Sequence, residues 1–343
     1  MTAVTVDVLA GFLGAGKTSL LRRLFAADVL SNTALLVNEF ADTTVDLRLL
    51  GVDGALAEPF VQGCLCCAVD GDLRSGLLDL LGKRASGAVP PFERVIVETS
   101  GMADPAGLLA TISNDLMLRH RFRPGFTVTL VDAVDALETL AAEDVALSQV
   151  VIADRVILSK GDLGDPKARA AIVSAVRALN PLAEVSGLYA SQWVNDPWAE
   201  LSPRRVGRFR ASAAAPDGTQ RHAVSALKLE RRLPVEWASL AVWLSALAHR
   251  HGHRILRMKG FAVLPNGKRI AIQGVRHLIF SPEHLPDAFA CAGLELVLIM
   301  RDLDAAAVRR SFDVFVADSQ VEALDGDPAT RPDPSGSESE LAS

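Results

Sequence analysis

The sequence predicts an α/β protein, with a mainly parallel sheet carrying helices on both faces and a smaller α+β domain after it. Three observations carry this expectation. Short apolar, β-branched runs alternate with helix-length stretches from Val4 to Leu188, the pattern that strand and helix crossover units leave in a sequence. A glycine-rich turn at Gly11–Thr18 separates the first strand from the first helix. Over Pro203–Thr219 the composition shifts to Arg, Ala, Ser, Pro and Gly without a clear period, which marks a linker. A chain of 343 residues has room for two such units, because single cores stop growing at about 250–300 residues.

Val4–Leu9 is β-branched and runs into the glycine-rich turn, so it reads as a strand, and Thr18–Phe25 after it reads as a helix. Ala34–Val37, Val95–Val97, Phe126–Val131, Val156–Leu158 and Ala183–Leu188 are further apolar runs of strand length, while Leu73–Leu81 and Lys167–Leu179 are of helix length. Residues 1–202 are expected to form the first domain, 203–219 the linker and 220–320 the second domain. The second domain should hold a strand near Ala223–Leu229, a helix over Val235–Ala248, a strand at Leu294–Met300 and a helix after Asp304. Within it Asn266-Gly267 links Phe261–Leu264 to Arg269–Ile272, and both turn residues tolerate the positive φ of a tight hairpin. Residues 321–343, rich in Asp, Ser, Pro and Glu, carry too little apolar surface to order themselves.

Half of the residues are apolar and 22% are charged, the balance of a globular protein. A formal net charge of -6 argues against nucleic acid or an anionic membrane as the main partner. No apolar run approaches the roughly 20 residues that cross a bilayer, and the apolar N-terminus has neither a charged leader nor a cleavage site. These features together predict a cytoplasmic location.

Gly11-Phe12-Leu13-Gly14-Ala15-Gly16-Lys17-Thr18 fits the P-loop pattern, and it stands between a strand and a helix as phosphate binding requires. Gly11, Gly14, Ala15 and Gly16 would turn successive backbone N–H groups toward phosphate oxygens, helped by the helix dipole. Lys17 would reach the β- and γ-phosphates, Thr18 would offer its hydroxyl to Mg²⁺, and Ser19 completes the nucleotide-binding set. After the strand at Arg94–Val97 comes Glu98-Thr99-Ser100-Gly101. Glu98 stands at a strand's carboxyl end, where ligands collect in open α/β sheets; it is the candidate catalytic acid partner of Mg²⁺ beside Lys17. Gly101 could approach the γ-phosphate. Val156-Ile157-Leu158 leads into Ser159-Lys160-Gly161-Asp162. Asp162 could accept two hydrogen bonds from a guanine edge while the Lys160 stem covers the base, which favours GTP over ATP.

Three of the four cysteines, Cys64, Cys66 and Cys67, fall within four positions. Such crowding reads as ligation of a thiophilic ion such as Zn²⁺ or Cu(I) better than as a disulfide framework. Three thiolates leave a tetrahedron incomplete, and Glu39 and Asp42, just after the second strand, are candidate further ligands. Cys291 stands alone in an apolar stretch as a small hydrophobe. His249, His251 and His253 fall near a helix end and read as solvated or capping groups.

With these residues in view, the chain resembles the CobW-like family of P-loop GTPases, relatives of the UreG and HypB metallochaperones. The resemblance rests on Gly11–Thr18, Asn38-Glu39-Phe40, Gly63–Cys67, Gly71-Asp72-Leu73, Glu98–Pro105, Ala153-Asp154-Arg155 and Ser159–Leu163 in order, with Gln273-Gly274-Val275 similar to a pattern of the second domain. It implies GTP hydrolysis coupled to delivery of Zn²⁺, or of cobalt or iron in some branches, to a client metalloprotein. Two departures stand out. Ala41-Asp42-Thr43-Thr44-Val45-Asp46 replaces the family's Gly-Glu-Val/Ile-Gly-Ile-Asp, and Ser159 replaces an Asn beside the base site. Two other readings compete with the GTP-driven metallochaperone: a P-loop NTPase that assists cobalt insertion or activates one metalloenzyme, and a passive metal buffer.

Overall fold

β1 (Val4–Gly11) is buried along almost all of its length because it runs through the middle of a sheet covered on both faces. In the computed structural model, the described residues are 3–37, 57–59, 70–161, 165–187, 195–199, 201, 224–287, 289 and 291–317. In chain order, β1 is followed by α1 (Lys17–Ala26), β2 (Thr33–Val37), β3 (Ala57–Pro59) and α2 (Asp70–Ser86). Next come β4 (Arg94–Glu98), α3 (Pro105–Asn114), β5 (Phe122–Asp132), α4 (Ala136–Ala142), α5 (Asp144–Ile152), β6 (Arg155–Ser159), α6 (Pro166–Leu179) and β7 (Glu184–Gly187). The strands form one sheet in the order β3-β2-β4-β1-β5-β6-β7, with every pairing parallel. From β1 the chain winds outward through β2 and β3, returns to β4, and crosses β1 to β5. This reversal creates a crevice at the carboxyl ends of the central strands.

Apolar runs with no alternation are explained by the two covered faces. Val95 and Val97 enter one core with Val6, Val8, Leu77 and Ile112, whereas Ile96 enters the opposite core with Leu9, Leu20, Leu24 and Leu35. Helices α3 and α6 begin alike: the Asp104 and Asp165 side chains accept the Ala106 and Lys167 amides, and a proline follows each cap.

The α/β class holds, and several elements run longer than expected, among them α2, which spans Asp70–Ser86 against Leu73–Leu81, and β5. β5 begins four residues before the expected Phe126 and runs through Pro124 and Gly125. A register shift between Val6 and Val8 absorbs these two breakers, as a bulge does.

The second unit contains β8 (Val224–Arg231), α7 (Trp237–His251), β9 (Ile255–Val263), β10 (Arg269–Val275), β11 (Leu278–Ile279), β12 (Glu283–Leu285), β13 (Leu294–Arg301) and α8 (Ala305–Phe312), which passes into a π-helical turn at Asp313–Ala317. Its antiparallel sheet has the order β11-β10-β9-β13-β8, with β12 beside β10. α7 and α8 cover one face, where Trp243 and Phe312 meet edge to face at 5.2 Å. The hairpin at Asn266-Gly267 is present but looser than a two-residue turn. Val263 pairs with Arg269, only Gly267 has a positive φ, at 78°, and its N–H donates to Leu264 O at 2.9 Å. Pro265 sets the first corner as an ordinary type I turn, which leaves one left-handed residue to complete the reversal.

The other face of this sheet packs on the first unit. Leu256, Val297 and Ile299 share a core with Val150, Val151, Ile172 and Val176, so α5 lies between two sheets and Ala146–Ile152 are all buried. Asp154 also bridges the units, accepting Thr127 N–H at 2.9 Å and pairing with Arg257 and with Lys259 at 3.1 Å.

Candidate functional site

The carboxyl ends of β1, β4, β5 and β6 place the candidate nucleotide groups in one crevice. At the end of β1 the chain turns through Gly14, with φ 73°, and Gly16, with φ 90°. At both positions a side chain would face open space but a strained backbone, so glycine serves the conformation. Ala15 is buried under the loop and its N–H donates to Phe12 O at 3.2 Å. Lys17 lies across the loop, with Nζ donating to Gly11 O at 2.9 Å and Phe12 O at 3.4 Å. An ammonium held by carbonyls at the loop's rim is where a phosphate oxygen can receive it. Ser19 is exposed on the first turn of α1.

Thr18 and Glu98 meet: the Thr18 hydroxyl donates to Glu98 Oε1 at 2.7 Å. A hydroxyl beside a carboxylate that is only 3% exposed is a hard-oxygen donor set, and it fits Mg²⁺. Glu98 is in register with Val37 of β2, and Val37 with Pro59 of β3. Three strand ends therefore stand side by side at the phosphate site.

Gly101 meets the P-loop directly. A Cβ there would fall 2.6 Å from Leu13 N and 2.8 Å from Leu13 Cα, so only glycine allows the approach. The loop Thr99–Asp104 is then held from behind by Gln149, whose buried amide donates to Gly101 O at 3.1 Å and Ala103 O at 2.9 Å. Asp104 caps α3 and accepts the Ser148 hydroxyl at 3.1 Å.

At the end of β6, Lys160 adopts φ 54° and its Nζ pairs with Asp132 Oδ2 at 2.6 Å. The Ser159 hydroxyl is buried, 3.4 Å from Val131 O. Asp162 lies outside the described residues, as do Cys64, Cys66, Cys67, Glu39 and Asp42. Among the described residues no group of three His, Cys, Asp or Glu side chains could hold a metal ion. Cys291 is half-buried against Phe261 and Leu285, and burial pushes its thiol up from the ordinary value.

The structure thus brings together Gly11, Gly14, Ala15, Gly16, Lys17, Thr18, Glu98, Gly101 and Lys160. Asp132 and Gln149 were not among the candidates. Asp132 carried a usable signal, since it is a carboxylate at a strand's carboxyl end like Glu98. Gln149 carried none, because its role depends on a helix packing behind the loop.

Comparison with known proteins agrees with this layout. Residues 5–186 match the family described as CobW/HypB/UreG, nucleotide-binding domain, and residues 224–316 match the cobalamin synthesis protein cobW C-terminal domain. The chain is 30% identical to the zinc chaperone YjiA of Escherichia coli over 287 residues, covering 81% of this chain and 88% of that protein. It is 29% identical over 368 aligned residues to the zinc chaperone CobW of Pseudomonas aeruginosa, covering 92% of each. The crystal structure of the Zn(II)-bound YjiA GTPase from Escherichia coli is similar with a TM-score of 0.68 at 25% identity, covering 92% of this chain and 99% of that one. In both of its sheets and in sequence, the chain belongs to the CobW/HypB/UreG family, with a CobW C-terminal domain following the nucleotide-binding domain.

Proposed function

We propose that this protein is a cytoplasmic GTP-hydrolysing metallochaperone that binds Zn²⁺, or cobalt or iron, through Cys64, Cys66 and Cys67 and passes it to a client metalloprotein. The observation that carries the coupling is the register of Val37, Pro59 and Glu98. In the chain, Glu39 and Asp42 follow Val37, and the cysteines follow Pro59. β2 ends beside the carboxylate that faces Thr18, and β3 ends one strand further out. No helix among the described residues is long and apolar enough to cross a membrane. Kinship to zinc chaperones supports Zn²⁺ as the cargo, and thiolates are the ligands such an ion prefers.

In this reading the P-loop amides and Lys17 bind the β- and γ-phosphates, and Asp162 reads guanine with Lys160 over the base. Thr18 and Glu98 hold Mg²⁺, which when bound neutralises charge on the phosphates. Gly101 lies against the P-loop and reports the presence of the γ-phosphate to the loop that follows. Cargo binding deprotonates the thiols, and Cys66→Ser or Cys67→Ser removes a soft ligand because a hydroxyl stays protonated near neutral pH.

Competition with a chromogenic chelator, in apo, GDP-bound and GTP-analogue-bound protein, tests the coupling. Linked sites should shift zinc affinity by about 5–150-fold between nucleotide states, since coupling is reciprocal. Cys66→Ser should weaken zinc strongly and leave nucleotide affinity of the apo protein unchanged. Equal zinc affinity in all three states would favour the passive buffer.

A further inference from the structure

Arg276 stands in the two-residue turn between β10 and β11, where Val275 pairs with Leu278. Its φ is 54°, a left-handed conformation that glycine or asparagine adopts readily and arginine does not. A strained residue persists where surrounding structure requires its side chain. Here the guanidinium reaches across the domain boundary and pairs with the Asp104 carboxylate.

That pair is partly exposed, 39% for Arg276 and 29% for Asp104, and such pairs contribute little to stability. Its geometry is the more informative feature. Asp104 closes the loop Thr99–Asp104, whose Gly101 touches Leu13 of the P-loop and whose carbonyls at Gly101 and Ala103 are held by Gln149. The turn itself is firmly seated. Val275 is 4% exposed in a core with Leu108, Leu109 and Ile112 of α3 and Ile152 of α5, and Phe280 packs beside it. The second domain thus grips the same loop from one end that the P-loop meets near the other.

Resting on the GTPase reading above, we propose that Arg276 is a positioning residue for hydrolysis. Through Asp104 the C-terminal domain holds the γ-phosphate loop in its working position, so turnover in the nucleotide-binding domain depends on the docked hairpin.

The test uses the full chain and five proteins: wild type, Arg276→Gly, Arg276→Lys, Asp104→Asn and the Arg276→Gly/Asp104→Asn double variant. Arg276→Gly suits the left-handed turn, and Asp104→Asn keeps an N-cap, so both should fold. Steady-state GTP hydrolysis, GDP affinity by a fluorescent analogue, and thermal unfolding are measured on each. Arg276→Gly is expected to lower kcat about tenfold while KM for GTP and GDP affinity stay within about twofold, the signature of an interaction that matters after binding. Its Tm should equal or exceed that of the wild type. Arg276→Lys should recover part of kcat, and Asp104→Asn with Arg276→Gly should be no slower than either alone, because both remove one link. A kcat within about twofold of wild type in Arg276→Gly overturns the proposal. So does a loss that tracks falling Tm or weaker GDP binding and is not recovered by lysine. A wild type that binds GTP without hydrolysing it overturns the GTPase reading itself, and this role with it.

Discussion

Asp7 shows how a single side chain can carry a pH dependence with no part in the chemistry. It sits at the bulge between β1 and β5, 3% exposed, and burial pushes its carboxyl from 3.8 up to about 7 against the opposing Phe126 N–H and Arg94. Arg94 helps little, because it lies 3.8 Å from Asp7 and 2.7 Å from Asp196. Between about pH 4 and 7 the folded protein keeps a proton that the unfolded chain has released. Stability therefore falls as pH rises through that window, by up to about 1.4 kcal/mol per unit, and levels off above it. Asp7→Asn keeps the acceptor for Phe126 and never ionises. It should exceed the wild type by roughly 2–4 kcal/mol at pH 8 and nearly equal it at pH 4. Urea unfolding at the two pH values decides this, and an equal gap at both would show that Asp7 ionises without cost. At this scale Lys17 and Thr18 were legible from P-loop spacing, a local backbone device, and Glu98 and Gly101 were offered as candidates by their place after an apolar strand. Asp7 was not, because nothing in a strand's sequence says that its middle carboxylate will be buried at a bulge.

Among the elements, the loop Thr99–Asp104 with α3 behind it is tightly held against the P-loop. Gly101→Ala would drive a Cβ into the Leu13 backbone, at 2.6 Å from N and 2.8 Å from Cα, and no side-chain rotation relieves a clash with backbone. The loop must retreat from the P-loop. We expect Gly101→Ala to lower stability by about 1–3 kcal/mol and to cut GTP turnover more than tenfold, a shift of about 1.4 kcal/mol or more in the barrier. Thermal unfolding and steady-state hydrolysis read the two effects. Wild-type turnover would mean that this contact is incidental to the site. Element types were largely readable here, because alternating apolar runs and helix-length stretches are local patterns. Extents were less so. Pro124 and Gly125 read as breakers of β5 and are instead carried inside it by the register shift, and Pro265 turns the Asn266-Gly267 hairpin into a longer loop.

For the molecule as a whole, the join between its two sheets rests on apolar packing around one buried charge cluster. Asp154 is paired with Arg257 and Lys259, all three buried. Burial works against its charge, yet the two cations hold its carboxyl below the usual carboxylate range. Asp154→Ala would leave two buried cations without their counter-ion and remove the acceptor of Thr127 N–H. Breaking a buried pair in this way costs about 3–5 kcal/mol. The expected outcome is a lower midpoint in chemical denaturation, with the two units no longer unfolding together. A single transition with an unchanged midpoint would show that apolar contacts alone hold the units together.

The residues alone pointed to a nucleotide-binding α/β unit of this family, and they offered candidate phosphate, magnesium and thiolate ligands. All of these depend on neighbours a few positions apart, where residue type and spacing constrain the backbone directly. What the fold added is long-range: Thr18 against Glu98, Lys160 against Asp132, Gln149 behind Gly101, and Arg276 and Arg257 reaching from the second domain to Asp104 and Asp154. These partners are separated by 28 to 172 positions. Their meeting depends on which strands pair and which faces pack, and that is decided by the burial of the whole apolar surface at once.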